Sequence, residues 1–445
     1  MISPANVHNV IKKHTIGDGH GIVVDTLSSH GSWIVDSITG KKYLDCYSQF
    51  ASQPIGWNHP TLKSKVSNFY PVLFCKIANS DIYTPELAKF IEDFSEISKD
   101  FCNFFFIDGG TLGVENALKA AFDWKAQKMH LKDGDSVNHL DVIHLKEAFH
   151  GRSGYSLSIT NTDPNKTKWF PKFNWTRIIN PKIHGDVPVE QLEADSLFQA
   201  ETALKRGSVA AIILETIQGE GGDNHFRKEY LEDLRKLADQ YEALLIFDEV
   251  QAGMGLTGKM WAYQHFNVIP DMLCFGKKVQ VCGFAATNRM SDVDHVFQKS
   301  SRINSTWGSN LVDMVRFSII KDIIEEEKLV ENAAFVGDYF TNQLKSIKGI
   351  SNVRGRGLMI AFDLETPERR NEVIKKIEEN MFVLKSGQKS IRLRPHLDFK
   401  MGEADLACEF PARYEWAVKY HGARSLDLAR CKELQEFLAS FRGDR

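Results

Sequence analysis

Short, largely apolar runs recur through the middle of this chain, separated by helix-length stretches: Phe104–Ile107, Asp141–Leu145, Arg177–Ile179, Val209–Leu214, Leu244–Phe247, Met272–Phe275 and Gly283–Thr287. A strand with one wet face alternates apolar and polar residues, whereas a strand covered on both faces has no polar side. Runs of this kind between helices predict a mostly parallel sheet with helices on both faces. In such a sheet the site usually lies at the carboxyl ends of neighbouring strands. The run Leu244–Phe247 ends in Asp248 and Glu249, and Met272–Phe275 is followed, after Gly276, by Lys277 and Lys278. An acid and an amine thus stand at two strand ends.

The 445 residues are too many for one simple core, and a large domain with a smaller partner is expected. The sheet-forming stretch spans residues 71–311, with Thr84 capping a helix whose first position is Pro85. In the segment 1–70, Gly31–Tyr47 alternates apolar and polar residues around Ile38-Thr39-Gly40-Lys41, a hairpin signal. Its loop Ala51–Pro60 is rich in turn formers and suited to lining a pocket. After a helix around Met314–Glu327, the stretches Val353–Leu364 and Met381–Leu384 read as strands with a helix between them. Ser390–Pro395 reads as another strand and Glu403–Phe410 as the final helix, so 312–410 should form a small α+β domain packed with 1–70. The stretch 411–445 reads as an extension whose spacing allows another helix, with no function assigned.

A composition of 43% hydrophobic and 25% charged residues is ordinary for a globular protein. The net charge of −3, with Lys and Arg scattered, gives no support for nucleic acid or an anionic membrane as the main partner. There is no apolar run of the ~18 residues that a membrane span needs, and Met1–His14 lacks the apolar core of a signal peptide. The seven cysteines are dispersed and form no CxxC pair, which fits reduced thiols in a cytoplasm better than disulfides or a metal site.

Several motifs sit at the strand ends. Gly109-Gly110-Thr111 precedes a helical stretch from Val114 to about Lys128; small residues there let backbone N–H groups reach a phosphate, although a plain strand–helix turn has the same composition. Phe149-His150-Gly151-Arg152 offers an aromatic face for a flat ring and a planar fork for a carboxylate, or else a core aromatic and a surface arginine. His150 reads as a loop histidine without a catalytic role. Glu215 and Glu220 bracket a turn that leads into Gly221-Gly222, as site carboxylates or as parts of a solvated loop. A buried Asp248 is costly unless it meets a cation, and a protonated pyridine nitrogen is one. Val250 is placed to cover a ring face and Gln251 to reach a ring hydroxyl. Burial beside a positive ring would lower the pKa of Lys277 and make it nucleophilic. Asn304-Ser305-Thr306-Trp307-Gly308 is a polar turn able to donate to a phosphate, and Arg392 lies in Ile391-Arg392-Leu393-Arg394-Pro395. Together these residues point to pyridoxal phosphate held as a Schiff base on Lys277, with Asp248 at the pyridine nitrogen.

The stretches VENALKAAFDWK, AFHGRSGYSLSITNT, IQGEGGDNHFR, LLIFDEVQAGMGLTG, WAYQHFNVIPD, FGKKVQVCG and RINSTWGSNL resemble the class III (ω-) aminotransferases of the fold type I pyridoxal phosphate enzymes. The resemblance runs from about Val7 to Pro395. FGKKVQVCG and NSTWG are more particular to the lysine-using branch, since other members usually carry a glycine-rich run after the lysine. The resemblance implies that Lys277 forms the Schiff base and shuttles the proton, that Asp248 holds the pyridine nitrogen and that Gln251 holds the ring oxygen. It implies that Phe149 and Val250 sandwich the ring and that Gly110 and Thr111 bind the phosphate. It also implies that Thr306 reaches the phosphate of a neighbouring subunit in a homodimer, and it sets Asn304 beside the substrate. Arg152 would take the distal carboxylate of the substrate, and Arg392 the α-carboxylate of glutamate or 2-oxoglutarate. Glu220 would neutralise Arg392 when lysine is bound. The implied reaction moves the ε-amino group of L-lysine to 2-oxoglutarate. Two departures stand out: Thr216 replaces a usual proline, and about Pro411 to Arg445 does not look like the family.

Other donors on the same scaffold, such as ornithine, 4-aminobutyrate or a diamine, are disfavoured by the residues after Lys277. Racemisation or decarboxylation would not need the Glu220–Arg392 pair, and a binding protein that kept the fold would not need Lys277, Asp248 and Arg152 together.

Overall fold

The computed structural model describes residues 2–184 and 187–419, with side chains up to 411. The N-terminal hairpin forms where alternation placed it: strands β1 (Trp33–Val35) and β2 (Lys42–Asp45) pair antiparallel.

The apolar runs form one seven-stranded sheet from β3 (Asn103–Ile107), β4 (Asp141–Leu145), β5 (Arg177–Ile178), β6 (Val209–Glu215), β7 (Leu244–Asp248), β8 (Met272–Phe275) and β9 (Cys282–Ala286), in the spatial order β3-β9-β8-β7-β6-β4-β5. All neighbours are parallel except at β9, which runs antiparallel to both β3 and β8. The two-residue period of a strand explains why the runs are apolar throughout. Leu245 and Phe247 join the core on one side of the sheet, and Leu244 and Ile246 join the core on the other.

Helix α1 (Pro85–Ile97) starts as expected, with Thr84 Oγ1 accepting from the Leu87 N–H at 3.2 Å. Helix α2 (Gly110–Lys128) covers one face of the sheet with Val114, Ala117, Leu118, Ala121 and Trp124. It begins at Gly110, earlier than the expected Val114, so the glycines form its first turn instead of a loop before it. Helix α3 (Lys228–Gln240) buries Tyr230, Leu231, Leu234 and Ala238 on the opposite face. Helix α4 (Leu311–Glu326) is capped by the Asn310 side chain, which accepts from the Val312 N–H at 3.1 Å. It is followed by α5 (Leu329–Lys345), which the sequence reading did not single out.

The C-terminal part departs from expectation in two places. Val353–Leu364, expected as a single strand, is a hairpin of β10 (Ser351–Arg356) and β11 (Met359–Asp363). It turns at Gly357, whose φ of +52° suits a residue without Cβ. Met381–Leu384, also expected as one strand, is divided. Strand β12 (Met381–Phe382) joins the N-terminal hairpin in parallel with β2, whereas β13 (Leu384–Ser386) and β14 (Ser390–Leu393) belong with β10 and β11. Between these units lies α6 (Pro367–Ile377), and the final helix, α7 (Met401–Lys419), runs past Pro411. The rest of the 411–445 stretch lies outside the described residues.

Helix α2 lies so close to β9 that two glycines face each other. A Cβ on Gly113 would stand 2.7 Å from the Gly283 carbonyl oxygen, and one on Gly283 would stand 1.9 Å from the Phe105 oxygen. This contact sets the height of the Gly110 end of α2 above the sheet. Gly113→Ala is therefore expected to cost about 1–3 kcal/mol through forced backbone displacement, read as a lower urea midpoint. An unchanged midpoint would show that the helix can move away freely.

Candidate active site

The parallel register brings three strand ends together. Across β6 and β7 Glu215 stands beside Asp248, and across β7 and β8 Asp248 stands beside Cys274, just before Phe275-Gly276-Lys277. Above them opens a cavity of about 810 Å³, with a smaller one of about 70 Å³ behind it. Gly110, Thr111, Phe149, Val250 and Lys277 line both.

Asp248 is 5% exposed. It accepts from the Val250 N–H at 3.0 Å, and its other oxygen lies 2.7 Å from His150 Nδ1. His150 is buried and its Nε2 has no partner, so the ring is committed to the carboxylate. The adjacent Glu249 turns the other way. It accepts from the Ala262 and Tyr263 N–H groups at 2.6 Å each, and burial pushes its pKa up to about 8. Of the two strand-end acids, Asp248 serves the cavity and Glu249 serves the core.

The two lysines divide in the same way. Lys277 lines the cavity, while Lys278 is buried and donates to the Gln53 carbonyl at 2.7 Å. The Lys277 backbone has φ +50°, a left-handed conformation that costs a non-glycine residue energy and tends to mark functional positions. Desolvation, helped by the Arg392 and Arg394 charges, lowers the Lys277 pKa to about 8.

Glu215 accepts from the Phe149 N–H at 3.0 Å and the Gly219 N–H at 2.8 Å, fixing both loops; burial raises its pKa to about 7. Thr111 Oγ1 is 2.9 Å from Ser153 Oγ and 2.6 Å from Ser156 Oγ. Glu220 pairs with Lys166 and accepts from Thr162 Oγ1 at 2.9 Å. Gln251 Oε1 accepts from Arg392 Nη1 at 3.0 Å and Arg394 Nε at 3.1 Å. Arg394 is fully buried and paired with Asp223. Arg392 is 4% exposed, its Nε has no partner, and burial followed by the Arg394 charge lowers its pKa to about 10.

The family model described as "Aminotransferase class-III" matches residues 17–412. The chain belongs to the class III aminotransferases. The aminotransferase is 44% identical to an L-lysine-epsilon aminotransferase of Mycobacterium tuberculosis over 422 residues, covering 91% of this chain and 94% of that one. It is 41% identical to the L-lysine-epsilon aminotransferase of Streptomyces clavuligerus over 434 residues, covering 93% and 94%. Its fold matches a solved lysine aminotransferase from M. tuberculosis, in the internal aldimine form, with a TM-score of 0.89 and 42% identity, covering 94% of this chain and all of that one.

Pyridoxal phosphate is the cofactor of the aminotransferase, and the cavity fits it. The first N–H groups of α2, at Gly110 and Thr111, have no partner within the helix and suit a phosphate. A Cβ on Gly110 would press on Val250 Cγ1 at 3.0 Å, so only glycine keeps that corner open. A buried carboxylate and an amine of lowered pKa face the same cavity.

The structure gathers Lys277, Asp248, Gly110, Thr111, Phe149, Val250, Gln251 and Glu220 around the two cavities, with exposed Arg152 at the rim of the larger. Arg392 stands behind Gln251. Asn304 and Thr306 are exposed and line neither cavity within this chain. Glu220 is paired with Lys166, whereas the sequence reading set it against Arg392. His150, expected as a loop histidine, instead holds Asp248, and its adjacency to Phe149 is the one local signal for it.

With a pKa of about 8, the Lys277 amine becomes neutral and nucleophilic as pH rises through 8. Stopped-flow addition of pyridoxal phosphate to cofactor-free protein should accelerate with a midpoint near that value. A midpoint at the ordinary lysine value of ~10.4 would contradict the desolvated environment.

Proposed function

We propose that the protein moves the ε-amino group of L-lysine to 2-oxoglutarate, giving 2-aminoadipate 6-semialdehyde, which cyclises, and L-glutamate. The observation that carries this reading is the buried, incompletely paired guanidinium of Arg392 behind the Lys277 cavity, in a chain 44% identical to an L-lysine-epsilon aminotransferase. A guanidinium so placed suits the α-carboxylate of the acceptor.

Pyridoxal phosphate, when bound, supplies an electron sink for a carbanion beside nitrogen. The Lys277 amine would take the proton from the donor carbon that bears the transferred nitrogen and pass it on within the same half of the cycle, and in the second half it would deliver a proton to the α-carbon of the acceptor. Asp248, oriented by His150, is the counterion for the pyridine nitrogen. Phe149 and Val250 would flank the ring, Gln251 would serve the ring oxygen, and Gly110 and Thr111 would hold the phosphate. Arg152 binds the carboxylate at the far end of the substrate, near Asn304. Lysine reacting through its ε-amine brings no carboxylate to Arg392, and an unpaired buried charge there would cost several kcal/mol. Glu220 cancels that charge, and the acceptor's carboxylate displaces it.

Exposed Thr306 suits the phosphate of a second copy, and this supports a homodimer with sites at the subunit interface. The pairing of β2 with β12 supports a small domain made from 1–70 and 312–410 beside a large domain of 71–311, with 411–445 as an extension. Dispersed cysteines fit a cytoplasmic location; among the described residues no helix is long and apolar enough to cross a membrane.

Turnover of L-lysine labelled with ¹⁵N at the ε position should deliver the label to glutamate, and Lys277→Ala should abolish transfer. Label arriving from the α position would refute the assignment. Sedimentation of the holoenzyme should give twice the chain mass; a fully active monomer would overturn the dimer.

A further inference from the structure

The Glu220 carboxylate has two cations within its neighbourhood and is held by only one. One oxygen takes both the Lys166 ammonium and the Thr162 hydroxyl, the latter at 2.9 Å. Arg392 feels the Glu220 charge but donates instead to Gln251, and its buried Nε is left without a partner. The Glu220 main chain is held in place: its carbonyl accepts from the Gly387 N–H at 2.8 Å, and the next residue, Gly221, packs so closely on the Glu147 carbonyl that a Cβ there would stand 1.9 Å from its oxygen. Exchange between the two cations is therefore a side-chain rotation.

Lys166 is well placed for this competition. It sits on a one-turn helix, Pro164–Thr167, whose start is fixed by the Asp163 side chain accepting from the Asn165 N–H at 2.9 Å. Its ammonium stands 5.6 Å from the centre of the Phe149 ring, at the cavity wall. The ion pair is partly shielded, with side chains 24% and 18% exposed, and Lys166 has no second acidic partner among the described residues.

We propose that Lys166 is a specificity-determining residue that competes with Arg392 for the Glu220 carboxylate and so sets the balance between the two substrates. The inference rests on the two-substrate reading above. While Glu220 stays on Lys166, Arg392 is open to a carboxylate and the dicarboxylate acceptor binds without first displacing an internal anion. A donor that brings no carboxylate must draw Glu220 off Lys166 before Arg392 is neutralised. Removing the ammonium moves Glu220 to Arg392, which favours lysine and disfavours the acceptor. An ion pair of this exposure is worth at most about a fivefold change in an equilibrium constant.

The test uses the holoenzyme and glutarate, an unreactive five-carbon dicarboxylate, whose Kd is read by calorimetry, alongside kcat/KM for L-lysine from the half-reaction. Lys166→Met is expected to weaken glutarate and to raise kcat/KM for lysine, the two factors together multiplying to about five; Lys166→Arg should restore both. Thr162→Val, which removes only the hydroxyl, should shift both constants in the same directions by less. In a Glu220→Gln background, Lys166→Met should leave glutarate binding unchanged. Unchanged constants in Lys166→Met, a parallel fall for both ligands, or a glutarate loss that persists undiminished without the Glu220 charge would each overturn the proposal. Should Lys166→Met fold poorly, Thr162→Val alone decides, since no shift in glutarate Kd there defeats the competition. A wild-type holoenzyme inert to lysine would defeat the functional reading, while the glutarate arm would still judge Lys166.

Discussion

A carboxylate sits almost wholly out of solvent, and the site is arranged around it. Asp248 ends the central strand of the large sheet, and its two oxygens are taken by the Val250 N–H and by His150. Removing an anion from water is costly unless hydrogen bonds and a cation replace the solvent. The protein supplies the hydrogen bonds, and on the proposed reading the ring nitrogen of pyridoxal phosphate would be the missing cation. The neighbouring acids are kept out of this role. Glu249 is spent on the Ala262 turn and Glu215 on the Phe149 and Gly219 loops, and burial pushes both upward, to about 8 and about 7.

The basic side of the cavity follows the same division of labour. Arg394 is satisfied by Asp223 and by carbonyls, so it is a structural strut. Arg392, two residues earlier and within β14, keeps an unspent donor. Gln251 touches both guanidinium groups with one oxygen, leaving its amide nitrogen for other partners. Lys278 joins the loop at Gln53 to Pro395, the latter through a long contact of 3.5 Å, while Lys277 faces the cavity. In each pair one member is spent on the surrounding structure and the other is left with a free nitrogen at or behind the cavity.

Much of this was legible from residue order. Apolar runs without a polar face required a sheet covered on both sides, and the acid and amine at its strand ends located the site. What escaped the sequence depended on distant partners. His150 meets Asp248 across 98 positions, and no local pattern distinguishes it from a loop histidine. The hairpin within Val353–Leu364 was hidden because its turn, at Gly357-Leu358, runs into the apolar Met359–Phe362 without a polar break. Helix α2 starts at glycines, which read locally as a loop because their helical cost is offset by close packing on Val250 and β9.

The split of Met381–Ser386 between two sheets has a consequence for how the enzyme is made. Leu44 pairs with Met381 and Asp45 with Phe382, contacts that close a loop of most of the chain. Such long-range closure is slow compared with hairpin and helix formation. Strand β13 follows directly and pairs with β14, which carries Arg392. The Asp248 and Lys277 strands, by contrast, are neighbours in both sequence and space. During synthesis the strands that lead to Asp248 and Lys277 can pair while β14 is still unmade, so the wall carrying Arg392 is completed last.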